Sequence, residues 1–258
     1  MIETIQLRVH GAKEPTLVYL PGLHGDWTLI GAFRAALGGR TRLVEFAYPR
    51  RTDWTLEDYA QAVESALFAQ GIQRAWLLGE SFSSQVAWTL VNRAARPAAP
   101  VEWQGLILVG GFVKHPWPWG VALARQCTSA VPAWLLKKAC ASYGRLAGRR
   151  LGGGPERCVE LQEFVMRRTE VCDRPAVTSR YRIISGHDLR PVARRAKLPV
   201  YHLSGAIDPI VPWWQVRSWL RRHCPGYRAS HIVRRAGHNV LLDAAAESAE
   251  QILRWSAP

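Results

Sequence analysis

The chain has 258 residues, of which 48% are hydrophobic and 21% are charged. This balance is typical of globular proteins and excludes a disordered chain, and a core of this size needs neither disulfides nor a metal to fold. The 34 lysine and arginine residues outnumber 20 acidic ones, so nucleic acids, membrane surfaces and anionic substrates all enter as classes of partner.

Short apolar runs alternate with helical patterns in the first 111 residues, and this alternation predicts a parallel α/β sheet. Strands are predicted at residues 17–20, 43–48, 75–78 and 105–109, and helices at residues 56–67 and 85–95. Thr55 and Asp58 have the spacing of a capping box at the start of the first of these helices.

The pattern changes over residues 112–197, where helical periodicity appears at 131–143 and 157–169 without a clear strand. This segment holds 17 basic and 6 acidic side chains, whereas residues 1–80 hold 8 and 9. The α/β pattern then resumes with strands at residues 200–204 and 231–234 and helices at residues 213–223 and 244–255. We therefore expect a core of residues 1–111 and 198–258 and an inserted helical cap of residues 112–197.

The five cysteines are widely spaced and form no C-x-x-C motif, so neither a disulfide framework nor a zinc site is indicated. No metal and no cofactor is expected. The first residues show no basic segment followed by an apolar run, and no stretch reaches the ~18 apolar residues of a spanning helix. These features predict a cytoplasmic protein without a transmembrane segment.

The run Gly79-Glu80-Ser81-Phe82-Ser83 lies where a predicted strand gives way to a predicted helix. A nucleophile benefits from a sharp turn there, because its Oγ then projects clear of the backbone. The residues two before and two after it must be small, as Gly79 and Ser83 are. Taken alone, the same run also fits a polar turn that caps a helix with serine.

Two residues that would activate such a serine follow the last two predicted strands. Asp208 comes directly after the strand at 200–204, and His238 lies in the loop after the strand at 231–234. The carboxyl ends of parallel strands meet at one edge of a sheet, so both should lie near Ser81. A serine hydroxyl needs a base to take its proton, and the base needs an acid to orient it. Ser81, Asp208 and His238 are therefore predicted to form a catalytic triad.

The serine turn, Gly-x-x-Asp followed by Ile210-Val211-Pro212, and a late Gly-His together resemble the α/β-hydrolase superfamily. The resemblance covers essentially the whole chain. It implies an α/β-hydrolase fold, in which a mostly parallel sheet carries helices on both faces and an inserted helical cap.

The resemblance also implies an oxyanion hole formed by the backbone N–H groups of Leu23 and Phe82. Pro21-Gly22 takes the place of the family's His-Gly in the loop after the first long strand, and Ser83 replaces the second glycine of the serine turn. His24 falls one residue past the expected donor, so it is not the motif histidine.

The family implies a serine hydrolase that forms an acyl-enzyme on Ser81, most simply a carboxylesterase acting on a small-molecule acyl substrate. Thioesterases, acyltransferases and C–C hydrolases or lyases use the same constellation, because the fold does not fix the substrate. A non-catalytic ligand-binding relative is a further alternative. Glu80 is expected to be a structural partner rather than the catalytic acid.

Four side chains are candidates for a substrate pocket: His24, Trp117, Trp119 and Trp213. Packing between cap and sheet is the alternative for the tryptophans. Prolines at 116 and 118 should keep that stretch non-helical, which favours a pocket wall. The basic cap has three interpretations: a solvated surface, a surface that attracts anionic substrates, or a nucleic-acid-binding site. No nucleic-acid-binding motif is present, so no nucleic acid is expected as a partner.

Overall fold

The computed structural model describes residues 4–96, 99–130 and 174–257. The strands in these ranges form one seven-stranded sheet: β1 (Gln6–His10), β2 (Thr16–Leu20), β3 (Arg42–Ala47), β4 (Arg74–Glu80), β5 (Glu102–Val109), β6 (Val200–Gly205) and β7 (Tyr227–Val233). The strand order is β1-β3-β2-β4-β5-β6-β7. Only β1 runs antiparallel to its neighbour, so the sheet is mostly parallel, as predicted.

The helices of the described ranges are α1 (Gly31–Leu37), α2 (Leu56–Ala69), α3 (Ser83–Ala94), α4 (Pro118–Ala130), α5 (Arg174–Gly186), α6 (Arg190–Ala193), α7 (Trp213–His223), α8 (Val240–Asp243) and α9 (Ala245–Ser256). The helices predicted at 131–143 and 157–169 lie outside the described residues. Within the described part of the chain, no helix is long and apolar enough to cross a membrane. No group of three or more histidine, cysteine or acidic residues there is placed to hold a metal ion.

Helices cover both faces of the sheet. Neighbouring residues of a strand point to opposite faces, so Val18 packs in one buried cluster and Leu17 in the other. The cluster around Val18 includes side chains of α2, α3 and α7, and the cluster around Leu17 includes side chains of α1 and α9. A sheet buried on both faces needs apolar residues at consecutive positions, which explains the uninterrupted apolar runs of its strands.

The capping box at the start of α2 is present. The Asp58 backbone N–H donates to Thr55 Oγ1 over 3.3 Å, and the Thr55 backbone N–H donates to Asp58 Oδ2 over 2.7 Å. The box satisfies backbone donors that have no partner within the first turn of a helix. The local pattern therefore predicts the first residue of α2 correctly.

Several elements differ from the sequence prediction. β1 and α1 were not expected, because β1 is a half-exposed edge strand and α1 is short and has no side-chain cap. β7 begins at Tyr227, before the predicted 231–234 strand. The helix predicted at 244–255 is α9, and the short helix α8 before it was not expected; Ala244, with φ −142° and ψ 56°, separates the two.

Candidate active site

The turn between β4 and α3 is strained at Ser81. Among the described residues, Ser81 alone combines a side chain with a positive φ, which is 47°. A Cβ added to Gly79 would lie 3.0 Å from the Cβ of Ala87 and 3.1 Å from the carbonyl oxygen of Ser83. The strand and the helix thus approach so closely that any side chain at position 79 would require its neighbours to shift, as expected for a sharp turn at a nucleophile.

A continuous hydrogen-bonded chain links Ser81, His238 and Asp208. The Ser81 Oγ lies 2.8 Å from His238 Nε2, and His238 Nδ1 lies 2.8 Å from Asp208 Oδ2. Asp208 Oδ1 also accepts backbone N–H groups of Ile210 and Val211 over 2.8 and 3.0 Å. Asp208 and His238 are buried, whereas Ser81 is partly exposed. The loops after β6 and β7 therefore bring the three predicted residues together at the end of β4.

The two buried partners shift each other's pKa in opposite directions. Burial raises the pKa of Asp208, but the hydrogen bond and charge of His238 and two backbone donors outweigh it, so the pKa is lowered. Burial lowers the pKa of His238, but the hydrogen bond and charge of Asp208 outweigh it, so the pKa is raised. With Asp208 ionised, His238 Nδ1 donates to the carboxylate and Nε2 is left to accept the Ser81 proton.

The loop after β2 passes beside the serine. The Gly25 N–H donates to the Gly22 carbonyl over 2.9 Å, which closes a turn. The Leu23 N–H belongs to the same trans peptide as that carbonyl, so it points to the other side of the turn. A Cβ added to Gly22 would lie 3.6 Å from the Cβ of Ser81. The peptide of Leu23 is therefore next to the nucleophile, across from the N-terminal end of α3, where Phe82 lies.

Glu80 is hydrogen-bonded to this loop. Its Oε2 accepts the backbone N–H of Gly22 over 3.3 Å and the hydroxyl of Tyr19. Burial raises the pKa of Glu80, although these two hydrogen bonds and the charge of His238 act to lower it. The carboxyl is occupied by the loop and by Tyr19, whereas the carboxylate that contacts His238 is that of Asp208.

His115 lies near His238 and lines a cavity, and no prediction was made for it from the sequence. Its side chain is buried, and the imidazole packs edge-on to Phe112 with ring centroids 4.9 Å apart. Burial, together with the nearby charge of His238, lowers the pKa of His115 to about 4, so the imidazole is neutral near pH 7. Its position in the segment that follows β5, at the edge of the sheet that carries Ser81, is a signal that could have found it.

A cavity of about 300 Å³ lies beside His115, between residues 113–118 and α7. Val113, Pro116 and Trp219 give it apolar walls, and Lys114 and Arg190 add two positive charges. Both cations contact the carboxylate of Asp188, over 3.4 and 2.5 Å respectively. The cavity therefore has apolar walls, as pockets for small molecules commonly do, and an excess of positive charge at its edge.

The predicted pocket tryptophans do not line this cavity. Trp119 is 67% exposed and stacks on Trp117 with ring centroids 6.0 Å apart. The expectation of a non-helical stretch at 116–119 is wrong at Trp119, because α4 begins at Pro118 and proline is well tolerated in the first turn of a helix. Trp213 begins α7, and its Nε1 donates to the carbonyl of Ala206 over 3.3 Å.

His24 lies in the loop that carries Leu23 and is partly buried. Its carbonyl accepts a hydrogen bond from Arg50 Nη1 over 2.5 Å. Contact of His24, Trp117, Trp119 or Trp213 with a substrate stays a prediction.

Solved structures of known proteins share the fold of this chain. No family model matches the sequence, and no curated protein matches it either. Among solved structures, an esterase from Exiguobacterium antarcticum is similar with a TM-score of 0.78 and 14% identity, covering 98% of this chain and 96% of that one. The enol-lactonase from Burkholderia xenovorans LB400 has a TM-score of 0.76 and 19% identity, with 97% and 95% covered.

A bromoperoxidase from Bacillus anthracis has a TM-score of 0.72 and 11% identity, with 97% of this chain and 94% of that chain covered. Each match spans nearly all of both chains. The chain therefore has the α/β-hydrolase fold, which is the fold that the sequence motifs predicted.

Proposed function

We propose that the chain is a serine hydrolase that cleaves carboxylic esters of small molecules through an acyl-enzyme on Ser81. The observation that carries the proposal is the hydrogen-bonded chain from Ser81 through His238 to Asp208, at a strained turn between strand and helix. Solved neighbours that include esterases and an enol-lactonase support a hydrolytic function, and the fold alone leaves the reaction open.

In the acylation step, Ser81 Oγ attacks the ester carbonyl carbon while its proton moves to His238 Nε2. The Asp208 carboxylate stabilises the imidazolium that forms. The N–H groups of Leu23 and Phe82 donate to the carbonyl oxygen as it becomes negative, and each lowers the barrier by roughly 3–4 kcal/mol. The tetrahedral intermediate collapses, the carbon–oxygen bond to the leaving group breaks, and His238 returns the proton to the departing alcohol.

In the second step, water attacks the acyl-enzyme in the same geometry. His238 takes a proton from the water, and the new oxyanion accepts hydrogen bonds from the same two N–H donors. The bond between the acyl carbon and Ser81 Oγ then breaks, and His238 returns its proton to the serine. The carboxylic acid leaves, and the triad is restored without a metal or cofactor taking part in any step.

We also propose that residues 112–197 form a cap over a core of residues 1–111 and 198–258. The cavity beside His115 is bounded by residues 113–118 on the cap side and by α7 on the core side, which supports this division. The cavity has a volume of about 300 Å³, at the small end of the range for ligand pockets, and its lining residues include neither Ser81 nor His238. Cytoplasmic location stays a prediction from the sequence.

The test combines a covalent probe with turnover. The wild-type protein is treated with a fluorophosphonate probe and with p-nitrophenyl esters of graded chain length, beside Ser81→Ala and the exposed control Ser185→Ala. We expect labelling and ester hydrolysis in the wild type and in Ser185→Ala, and neither in Ser81→Ala. Absence of labelling would exclude the serine nucleophile, and labelling without ester turnover would favour the transferase, lyase or ligand-binding alternatives.

A further inference from the structure

Arg180, on α5, is completely buried, which is rare for an arginine. None of the described carboxylates pairs with its guanidinium. Its hydrogen bonds go to neutral oxygens: the carbonyl of Leu23 over 2.8 Å, the carbonyl of Pro49 over 3.1 Å and the hydroxyl of Tyr59 over 3.2 Å. A buried charge is costly unless its donors are satisfied, so this arrangement must be specified by the surrounding structure.

Aromatic rings complete the surroundings of the guanidinium. The Arg180 Cζ lies 5.6 to 6.0 Å from the ring centroids of Tyr48, Tyr59 and Phe82, within the range of cation–π attraction. Phe82 is also the residue directly after Ser81. The positive charge is therefore held between the two segments that carry the proposed oxyanion donors.

The loop after β2 fits closely around this guanidinium. Gly25 has a φ of +74°, and a Cβ added there would lie 2.5 Å from Arg180 Nη1. Only a glycine allows both the turn conformation and the approach of the arginine. The Gly25 turn and the Arg180 side chain are thus fitted to each other.

Three hydrogen bonds, one of them from Arg180, hold the peptide that carries the Leu23 N–H and its two neighbours. The next peptide along the chain is held through the Leu23 carbonyl by Arg180. The preceding peptide is held through the Gly22 N–H by Glu80. The peptide between them is held through the Gly22 carbonyl by the Gly25 N–H. Three successive anchors leave the Leu23 N–H in one orientation.

We propose that Arg180 is a positioning residue of the oxyanion hole, acting through the Leu23 carbonyl. This inference rests on the proposed hydrolase function. Donors that are held in place before the reaction stabilise the oxyanion without reorganisation, and a fixed positive charge near them favours the same negative charge. Arg180 lies in the segment proposed as the cap, so it also links the cap to the catalytic turn.

A purely structural arginine would affect stability without changing the chemical step of the folded enzyme. Two variants separate these roles: Arg180→Met removes both the charge and the donors, and Arg180→Lys keeps the charge with fewer donors. Arg93→Met is the matched control, because Arg93 is also largely buried but contacts Glu57 and Glu64 on α2. Each protein is assayed for ester hydrolysis and for amide hydrogen exchange at Gly25.

We expect Arg180→Met to lower kcat about 100-fold with little change in KM, since loss of one oxyanion donor costs about 10²- to 10³-fold. Arg180→Lys should recover part of that loss. Exchange of the Gly25 amide should become at least about tenfold faster in Arg180→Met, because the turn it closes loses an anchor. Arg93→Met should leave kcat and Gly25 exchange unchanged even where it lowers stability. An unchanged kcat and unchanged Gly25 exchange in folded Arg180→Met would overturn the proposal.

Amide exchange at Gly25 is also compared between Ser81→Ala and the double variant Ser81→Ala/Arg180→Met. This comparison does not depend on ester turnover, because both variants lack the nucleophile. If the wild type hydrolyses no ester, the proposed function fails, and equal Gly25 exchange in this pair would separately overturn the positioning role. If the Arg180 variants do not fold, Tyr59→Phe replaces them, because it removes one acceptor of the guanidinium. Faster Gly25 exchange and lower kcat are then expected, and unchanged values would overturn the proposal.

Discussion

The Ser83 hydroxyl donates a hydrogen bond to the carbonyl oxygen of Pro21, so the two positions that depart from the α/β-hydrolase pattern contact each other. Ser83 is completely buried, and the Tyr48 hydroxyl lies 2.8 Å from its Oγ. The serine that replaces the second glycine of the turn therefore connects α3 to the loop after β2. This contact holds the start of that loop, upstream of the anchors that Glu80 and Arg180 provide.

Removal of the Ser83 hydroxyl should destabilise the protein. Ser83→Ala leaves the Pro21 carbonyl and the Tyr48 hydroxyl buried without this partner, so the free energy of unfolding should fall by about 1–3 kcal/mol. Tyr48→Phe should cost less, because Ser83 still donates to Pro21. Once Ser83 is gone, Tyr48→Phe should cost nearly nothing more. Urea unfolding of the single and double variants measures these values, and additive losses would contradict the contact.

Backbone strain at Ser81 predicts a gain in stability at the expense of activity. A side chain held at positive φ costs about 1–3 kcal/mol, and glycine adopts that conformation freely. The free energy of unfolding of Ser81→Gly should therefore exceed that of Ser81→Ala by about 1 kcal/mol, and its unfolding midpoint should lie at higher denaturant concentration. Both variants lack the nucleophile. The two variants differ only in the Cβ, which makes alanine the control for loss of the hydroxyl. Equal stability would mean that the turn carries no strain.

The parts of the fold that could be predicted from the sequence are those whose residues are buried on both sides. β2, β4 and β5 lie inside the sheet, so their apolar runs are continuous and easy to recognise. β1 lies at the edge and exposes much of its surface, so its pattern resembles that of a loop. Burial of both faces, rather than strand propensity, is what made these elements visible.

The triad was predicted from a simple rule about strand ends, because Ser81, Asp208 and His238 each lie in the segment that follows a parallel strand of the sheet. No argument about side-chain packing was needed to predict that the three residues lie together. Arg180 could not be found in this way, because a single chain does not distinguish a buried arginine from the many exposed ones around it. Its role depends on Gly25 and Leu23, which are more than 150 positions away in the chain.

The pKa shifts predict an acid limb in the pH profile. His238 must be neutral to accept the Ser81 proton, so kcat/KM should rise with pH as the imidazolium deprotonates. The pKa of His238 is raised above the ordinary value of 6.5, so the midpoint of this limb should lie above pH 6.5. His115, whose pKa is about 4, is neutral there and should not contribute. A wild-type midpoint below pH 6.5 would contradict the raised pKa.

Two variants test which carboxylates raise that pKa. Asp208→Asn removes the hydrogen-bonded negative charge, so the residual activity, lower by about 10⁴-fold, should show its midpoint at lower pH. Glu80→Gln removes a more distant charge, so its midpoint should move in the same direction by less. Profiles of kcat/KM from about pH 5 to 9 measure both shifts. A Glu80→Gln shift larger than that of Asp208→Asn would indicate that Glu80 is the main partner of His238.

The positive charge beside the cavity predicts a preference for anionic esters that weakens with salt. Lys114 and Arg190 share one carboxylate, that of Asp188, whose pKa is lowered to about 2 chiefly by the hydrogen bond from Arg190. One net positive charge therefore remains near the cavity at neutral pH. Because the Debye length shrinks from about 30 Å at 0.01 M salt to about 3 Å at 1 M, attraction of a charged substrate must weaken over that range.

The measurement compares kcat/KM for a p-nitrophenyl ester that ends in a carboxylate with that for a neutral ester of equal length. The anionic-to-neutral ratio should fall about threefold or more between low and high salt. Lys114→Met should lower the ratio at low salt, whereas Arg74→Met, at the opposite end of the sheet, should not. A ratio independent of salt would show that the charge beside the cavity does not attract the substrate, and would leave the basic cap as a solvated surface.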